Sequence, residues 1–354
     1  MNQISHSKNT SSTMFRSLRG WRISIPIIIG VLVVVYMFWG EFDYAEFKNI
    51  NFTKHALIWF ICALCMMFLR DIGYIIRLKI ISESKLTWLQ CLRVILLWEF
   101  TSTVTPSAVG GTPFAIIYIS KENISVGKSS AMVMLTAFLD EFYFLIMFPL
   151  VLILADFDSV FTFSSLYSDG INWSTKFMYF ALIGYSLKAG FVLLVFYGLF
   201  INPCAVKKML FRIFSFRFLR KWRRRIVKVG SDIMNASISY KGKSWKFWLS
   251  TLFATFLSWT SRYWVVNFLF LLFFVVPEHF IIFARQLVMW IMMIVLPSPG
   301  GSGFSEFLFS EFLGEFIPYM YLVPILAVLW RIVTYYTYLI VGAFMLPAWI
   351  KKKF

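Results

Sequence analysis

The chain has 354 residues, of which 60% are hydrophobic and only 14% charged, against about 25% charged in soluble domains. So few charges cannot cover a soluble surface, and the net charge of +17 gathers at the ends of apolar runs, which points away from nucleic acid. Apolar runs of about 20 residues, enough to cross a hydrocarbon layer of roughly 30 Å, recur along the whole chain, so the expected fold is a single all-α polytopic membrane domain over residues 1–354.

Loop charge orients the runs, because cytoplasmic loops collect Lys and Arg. The tail before the first run carries Lys8, Arg16, Arg19 and Arg22 without an acid, which places the N-terminus in the cytoplasm. The run lacks a small-residue cleavage pattern, so Ile23 to Trp39 reads as a retained first span. The acid-bearing loop Glu41 to Lys54 is external. A second span, His55 to Ile76, returns to Arg77, Lys79 and Lys85 inside.

Both Thr87 and the Lys121–Lys128 loop then read as cytoplasmic, so the segment between them enters the membrane and turns back. Its apolar arm, Trp88 to Val104, is broken by Thr105-Pro106-Ser107-Ala108-Val109-Gly110-Gly111-Thr112-Pro113. Proline removes a backbone donor and glycine opens otherwise forbidden dihedrals. Such bare backbone is tolerated at membrane depth only where protein or a water-filled cavity surrounds it. Spans at Ser129 to Ala155 and Lys176 to Phe200 follow. The next segment, Lys207 to Lys246, holds thirteen basic residues against Asp232. Within it Leu210, Phe214, Phe218, Trp222 and Ile226 recur every four residues, the pattern of a helix lying in the headgroup plane over residues 205–230. Its roles are an orientation anchor or a sensor of anionic lipid.

Phe247 to Val276 reads as an outward span and Tyr319 to Trp349 as an inward one ending at Lys351-Lys352-Lys353. Between them a second re-entrant segment is broken by Leu296-Pro297-Ser298-Pro299-Gly300-Gly301-Ser302-Gly303. The chain thus reads as six spans and two opposed hairpins, with residues 55–155 and 247–349, each two spans around one hairpin, forming an inverted repeat, which in transporters places the site at the midplane between broken helices. Two unrelated loops with ordinary turn residues are the alternative.

Ionisable groups at membrane depth mark function or ion pairing, since each costs about 2.5–3.5 kcal/mol at a span centre on insertion scales. Lys188, Arg262, Arg285 and Arg331 are candidates for holding an anion together with Pro106, Gly110, Gly111, Pro297, Pro299, Gly300, Gly301 and Gly303 at the breaks, because guanidinium forks and helix N-termini both favour phosphate. Glu99, Asp140, Glu141 and Glu306 are candidates for ion pairing or coupling. Glu306, in the first turn of a short helix, serves either as a dipole-compensating cap or as a proton or counter-ion carrier. Four cysteines and three scattered histidines form no metal-binding pattern, and neither a cofactor nor a catalytic residue is expected.

Pro106 with Gly110-Gly111, and Pro297-Ser298-Pro299-Gly300-Gly301-Ser302-Gly303-Phe304-Ser305-Glu306, resemble the motifs of the lysylphosphatidylglycerol synthase transmembrane (flippase-like) family. The resemblance covers most of the chain. It implies translocation of an anionic or amino-acylated phospholipid, or of a polyprenyl-phosphate-linked lipid, across the cytoplasmic membrane. The chain departs from the family in two places. The sequence stops at Phe354 without a soluble aminoacyl-transfer domain, so lipid aminoacylation is not expected, and Asp140-Glu141 stands where relatives have an acid followed by arginine. A membrane-embedded lipid-phosphate transferase, with Asp140, Glu141 or Glu99 as base, and a non-catalytic partner of cell-envelope synthesis are the alternatives. A transporter that is not an enzyme is favoured, with membrane lipids of anionic headgroup as partners and a homo-oligomer left open.

Overall fold

The computed structural model describes residues 52–105, 111–155, 157–161, 173–215, 223–293 and 304–353, all helices and short connections without a strand. The first retained span and most of both Pro/Gly breaks, including Pro106, Gly110, Pro297, Pro299, Gly300, Gly301 and Gly303, lie outside these residues.

Four helices form the first unit: α1 (Ala56–Ile81), α2 (Trp88–Val104), α3 (Thr112–Ser120) and α4 (Val126–Leu154). A short α5 (Phe157–Phe161) leads to α6 (Trp173–Phe196), which widens into a π-helical turn at Tyr197–Ile201. Two basic helices, α7 (Pro203–Ile213) and α8 (Arg223–Tyr240), precede the second unit. That unit comprises α9 (Trp245–Leu271), α10 (His279–Met292), α11 (Phe304–Leu313), α12 (Leu322–Arg331), a π segment Ile332–Tyr336 and α13 (Thr337–Lys353). Both units thus run long helix, arm, short arm, long helix.

Local chemistry fixes where the helices begin. Thr87 and Gln90 form a reciprocal capping box at α2, with Thr87 N donating to Gln90 Oε1 at 2.7 Å. Ser125, Asn202 and Ser244 cap α4, α7 and α9 through their side-chain oxygens. Each satisfies a donor that a helix start leaves without a partner. At 1.5 Å per residue the 26 residues of α1 extend about 39 Å, past the hydrocarbon layer. Ala56–Ile81, Val126–Leu154, Thr175–Ile201 and Leu322–Lys353 are long and apolar enough to cross a membrane.

Packing between the units is reciprocal. The opening helices α1 and α9 lie against one another along much of their length, α13 packs on α2, and α4 packs on α10. Small residues permit the closest approaches. A Cβ at Gly73 would come within 2.8 Å of the Ala254 carbonyl oxygen, and one at Gly342 would collide with Phe100. Large side chains such as Leu57, Phe68, Ile153, Val275 and Phe344 point outward. Such a surface suits lipid as its solvent.

Two boundaries differ from the sequence reading. The second span does not stop at Ile76: α1 continues to Ile81 and buries Arg77, Leu78 and Ile81, so Arg77 belongs to the helix interior and not to a loop. The segment expected as one interfacial helix over 205–230 is divided, with α7 ending at Ile213 and α8 starting at Arg223. Within α7 the four-residue period holds, with Val206 and Leu210 turned inward, and α8 lies along α4.

Candidate functional site

A cavity of about 320 Å³ opens where the two units meet. Tyr74 and Arg77 enter from α1, and Trp98, Glu99 and Ser102 from α2. Gly111 and Thr112 come from the start of α3, and Asp140, Glu141 and Phe144 from α4. Lys188 belongs to α6, Trp259 and Arg262 to α9, Trp290 to α10, and Trp330, Arg331, Thr334 and Tyr335 to α12 and the π segment after it. Both interrupted hairpins reach its wall, through Gly111 and Thr112 from one and Met293 and Ser305 from the other. Gly111 permits α3 to lie close to α2, because a Cβ there would press on Ser102 Oγ and come within 3.1 Å of the Trp98 ring.

Most charges of the wall are already paired. Arg77 grips Asp140 with two bonds, Nη1 to Oδ1 at 2.5 Å and Nη2 to Oδ2 at 3.3 Å, and also donates to Thr255 Oγ1 at 3.1 Å. Trp259 Nε1 donates to the same carboxylate at 2.7 Å. Lys188 Nζ lies 2.5 Å from Glu141 Oε2 and 4.3 Å from the Phe144 ring centroid. Arg331 Nε is 2.9 Å from Glu306 Oε1, and Ser305 donates to the other oxygen of that buried carboxylate at 2.8 Å. Fully buried Arg70 lies 3.0 Å from Asp71 and also pairs with Glu99, while Tyr338 donates to Asp71 at 2.7 Å.

Arg262 differs. Half-buried, it makes no ion pair among the described residues. Its guanidinium carbon lies 4.5 Å from the Trp290 ring centroid and 5.7 Å from that of Trp259. Stacking occupies the faces of the guanidinium and leaves its N–H edge available, the geometry in which arginine takes a phosphate or carboxylate.

The structure therefore brings Glu99, Gly111, Asp140, Glu141, Lys188, Arg262 and Arg331 to one cavity. Glu306 stands just behind it on Arg331. Arg285 does not belong to this group. From α10 it donates to the Ser159 carbonyl at 2.7 Å and the Phe312 carbonyl at 3.1 Å and pairs with Glu315 at 2.6 Å. Five residues separate it from Trp290, which turns it roughly 140° away on the same helix. Its role is to tie α10 to α5 and to the end of α11.

Sequence reasoning missed Arg70, Asp71 and Arg77. The cost of charge at membrane depth points to Arg70-Asp71 in the middle of the long apolar run, and the same rule flags Arg77 once α1 is extended by one turn. Asp140 and Glu141 take their basic partners from other helices, Arg77 of α1 for Asp140 and Lys188 of α6 for Glu141.

Apolar helices around a charged internal cavity, entered by arms from two similar units, define a polytopic helical membrane protein. The chain belongs to the family described as the lysylphosphatidylglycerol synthase TM region, which matches residues 23–342. It is also similar to a UPF0104 membrane protein of Archaeoglobus fulgidus, with 24% identity over 350 residues that cover 94% of this chain and 98% of the relative. No solved structure matches.

Proposed function

We propose that the protein translocates a lipid across the cytoplasmic membrane by holding its phosphate-bearing headgroup in the cavity while the acyl or prenyl tails stay in the bilayer. The observation that carries this reading is Arg262, a guanidinium without a carboxylate among the described residues, stacked on Trp259 and Trp290 in a cavity bordered by both hairpins. A lone cation at this depth is expensive, and a lipid phosphate supplies its missing partner. Rocking of one unit against the other about the α1–α9 contact would expose the cavity to each leaflet in turn. The family membership supports the membrane setting, and the basic loops support cytoplasmic termini.

The test is transfer in vesicles holding the purified chain, using tail-labelled phosphatidylglycerol and phosphatidylethanolamine and an impermeant quencher outside. Wild-type protein moves label between leaflets, and Arg262→Leu slows it at least tenfold. Rates equal to those of protein-free vesicles, or rates untouched by Arg262→Leu, overturn the reading.

A further inference from the structure

We infer that the preferred cargo carries an ammonium as well as a phosphate, a zwitterionic phosphodiester headgroup, with Arg262 holding the phosphate and Glu99 the ammonium; this rests on the translocation reading. The argument is a charge balance at the wall. Arg77, Lys188 and Arg331 each own one carboxylate, Asp140, Glu141 and Glu306. Two sites depart from this one-to-one pairing. Arg262 has no carboxylate in ion-pair reach among the described residues, whereas Arg70 has two, Asp71 and Glu99. With all groups ionised, one positive and one negative charge remain in surplus at different residues.

The negative surplus faces the cavity through Glu99. Asp71 is engaged by Arg70 and by the Tyr338 hydroxyl and is not among the lining residues. Glu99 lines the wall and its side chain is 24% exposed. It projects from α2 beside Trp98, whose ring also borders the cavity, and indole beside carboxylate is a favourable surrounding for an ammonium. Arg262 projects from α9, on the other unit. A headgroup with only a phosphate satisfies Arg262 and sets its charge against Glu99, while a purely cationic one does the reverse. A headgroup bearing both charges satisfies the two together, and specificity follows from the repulsion that the others meet. A primary ammonium suits best, because it donates hydrogen bonds to the carboxylate.

Initial transfer rates of tail-labelled phosphatidylethanolamine and phosphatidylglycerol, in vesicles holding the full chain, test the inference. Wild-type protein moves the ethanolamine lipid at least fivefold faster, and Glu99→Gln removes or reverses that preference. Glu99 also holds Arg70, so a second measurement needs no variant: glycerophosphoethanolamine should raise the melting temperature of the detergent-purified wild type at a concentration at least fivefold lower than glycerophosphoglycerol does. Transfer that persists with equal rates, or with phosphatidylglycerol faster, overturns the inference and leaves translocation standing, as does tighter binding of glycerophosphoglycerol. Transfer of neither lipid refutes translocation instead, and the soluble headgroups still decide the charge preference.

Discussion

The clamp between Arg77 and Asp140 yields the sharpest energetic prediction. Arg77 is 4% exposed and Asp140 is 23% exposed. Replacing Arg77 with methionine keeps most of the volume and leaves Asp140 with the Trp259 indole N–H as its remaining side-chain donor among the described residues. Stranding one partner of a buried ion pair costs about 3–5 kcal/mol. Asp140 faces the cavity with part of its surface, which sets the expected loss near the lower end, about 3 kcal/mol. At 1.4 kcal/mol per factor of ten this is roughly a 150-fold fall in the folded-to-unfolded ratio, and for a chain of this size about 4 °C of melting temperature. The variant Arg77→Met/Asp140→Leu removes both charges and should recover at least half of that loss. Thermal or mixed-micelle unfolding of wild type, both single variants and the double variant closes the cycle. Single losses below about 1 kcal/mol, or additivity within about 0.5 kcal/mol, would refute the assignment of this pair as a coupled clamp.

Three further outcomes follow from the packing and the charges. Gly342→Leu drives a side chain into Phe100 and should lower stability by about 1–3 kcal/mol or more, as overpacking does, whereas Gly190→Ala, which meets nothing within 4 Å, should leave the melting temperature unchanged or raise it. Arg285→Met should lower the melting temperature yet leave lipid transfer per folded molecule within twofold of wild type, because Arg285 braces α10 away from the cavity. Glu83, in the turn after α1, accepts from Lys243 at 2.8 Å and from Lys128 at 3.1 Å, and the hydrogen bond from Lys243 is the foremost cause that lowers its carboxyl below the ordinary value of 4.5. A depressed folded pKa contributes stability above the unfolded value and loses it as pH falls through the folded one. The melting-temperature gap between wild type and Glu83→Gln should therefore be present at pH 6, shrink as the pH falls below the ordinary value of 4.5, and vanish once the pH has passed the lower folded value.

Much of this architecture is legible in the sequence because bilayer physics leaves few choices. Hydrophobic length marks α1, α4, α6 and α12–α13, and the Pro/Gly interruptions mark where α2 gives way to α3 and α10 to α11. What pairing depends on is not legible. Arg262, Arg285 and Arg331 look alike as lone basic residues in apolar runs, and only tertiary contacts separate one stacked on two indoles, one tied to backbone carbonyls and Glu315, and one committed to Glu306. Arg77 was hidden by an element boundary, since its charge resembled the basic loop that follows. The four-residue stripe from Leu210 to Ile226 does not reveal where α7 ends, because an amphipathic period runs on unchanged past the turn that closes this helix at Ile213.

The most direct measurement of the central claim, that a lipid phosphate occupies the cavity at Arg262, is photocrosslinking in vesicles. Benzoylphenylalanine is placed at position 98, on the cavity wall, or at position 344, where Phe344 is exposed on the outer surface. Irradiation should give a phospholipid adduct at both positions, and Arg262→Leu should reduce the adduct at position 98 at least tenfold while leaving that at position 344 unchanged. An absent adduct at position 98, or one indifferent to Arg262, would contradict the account.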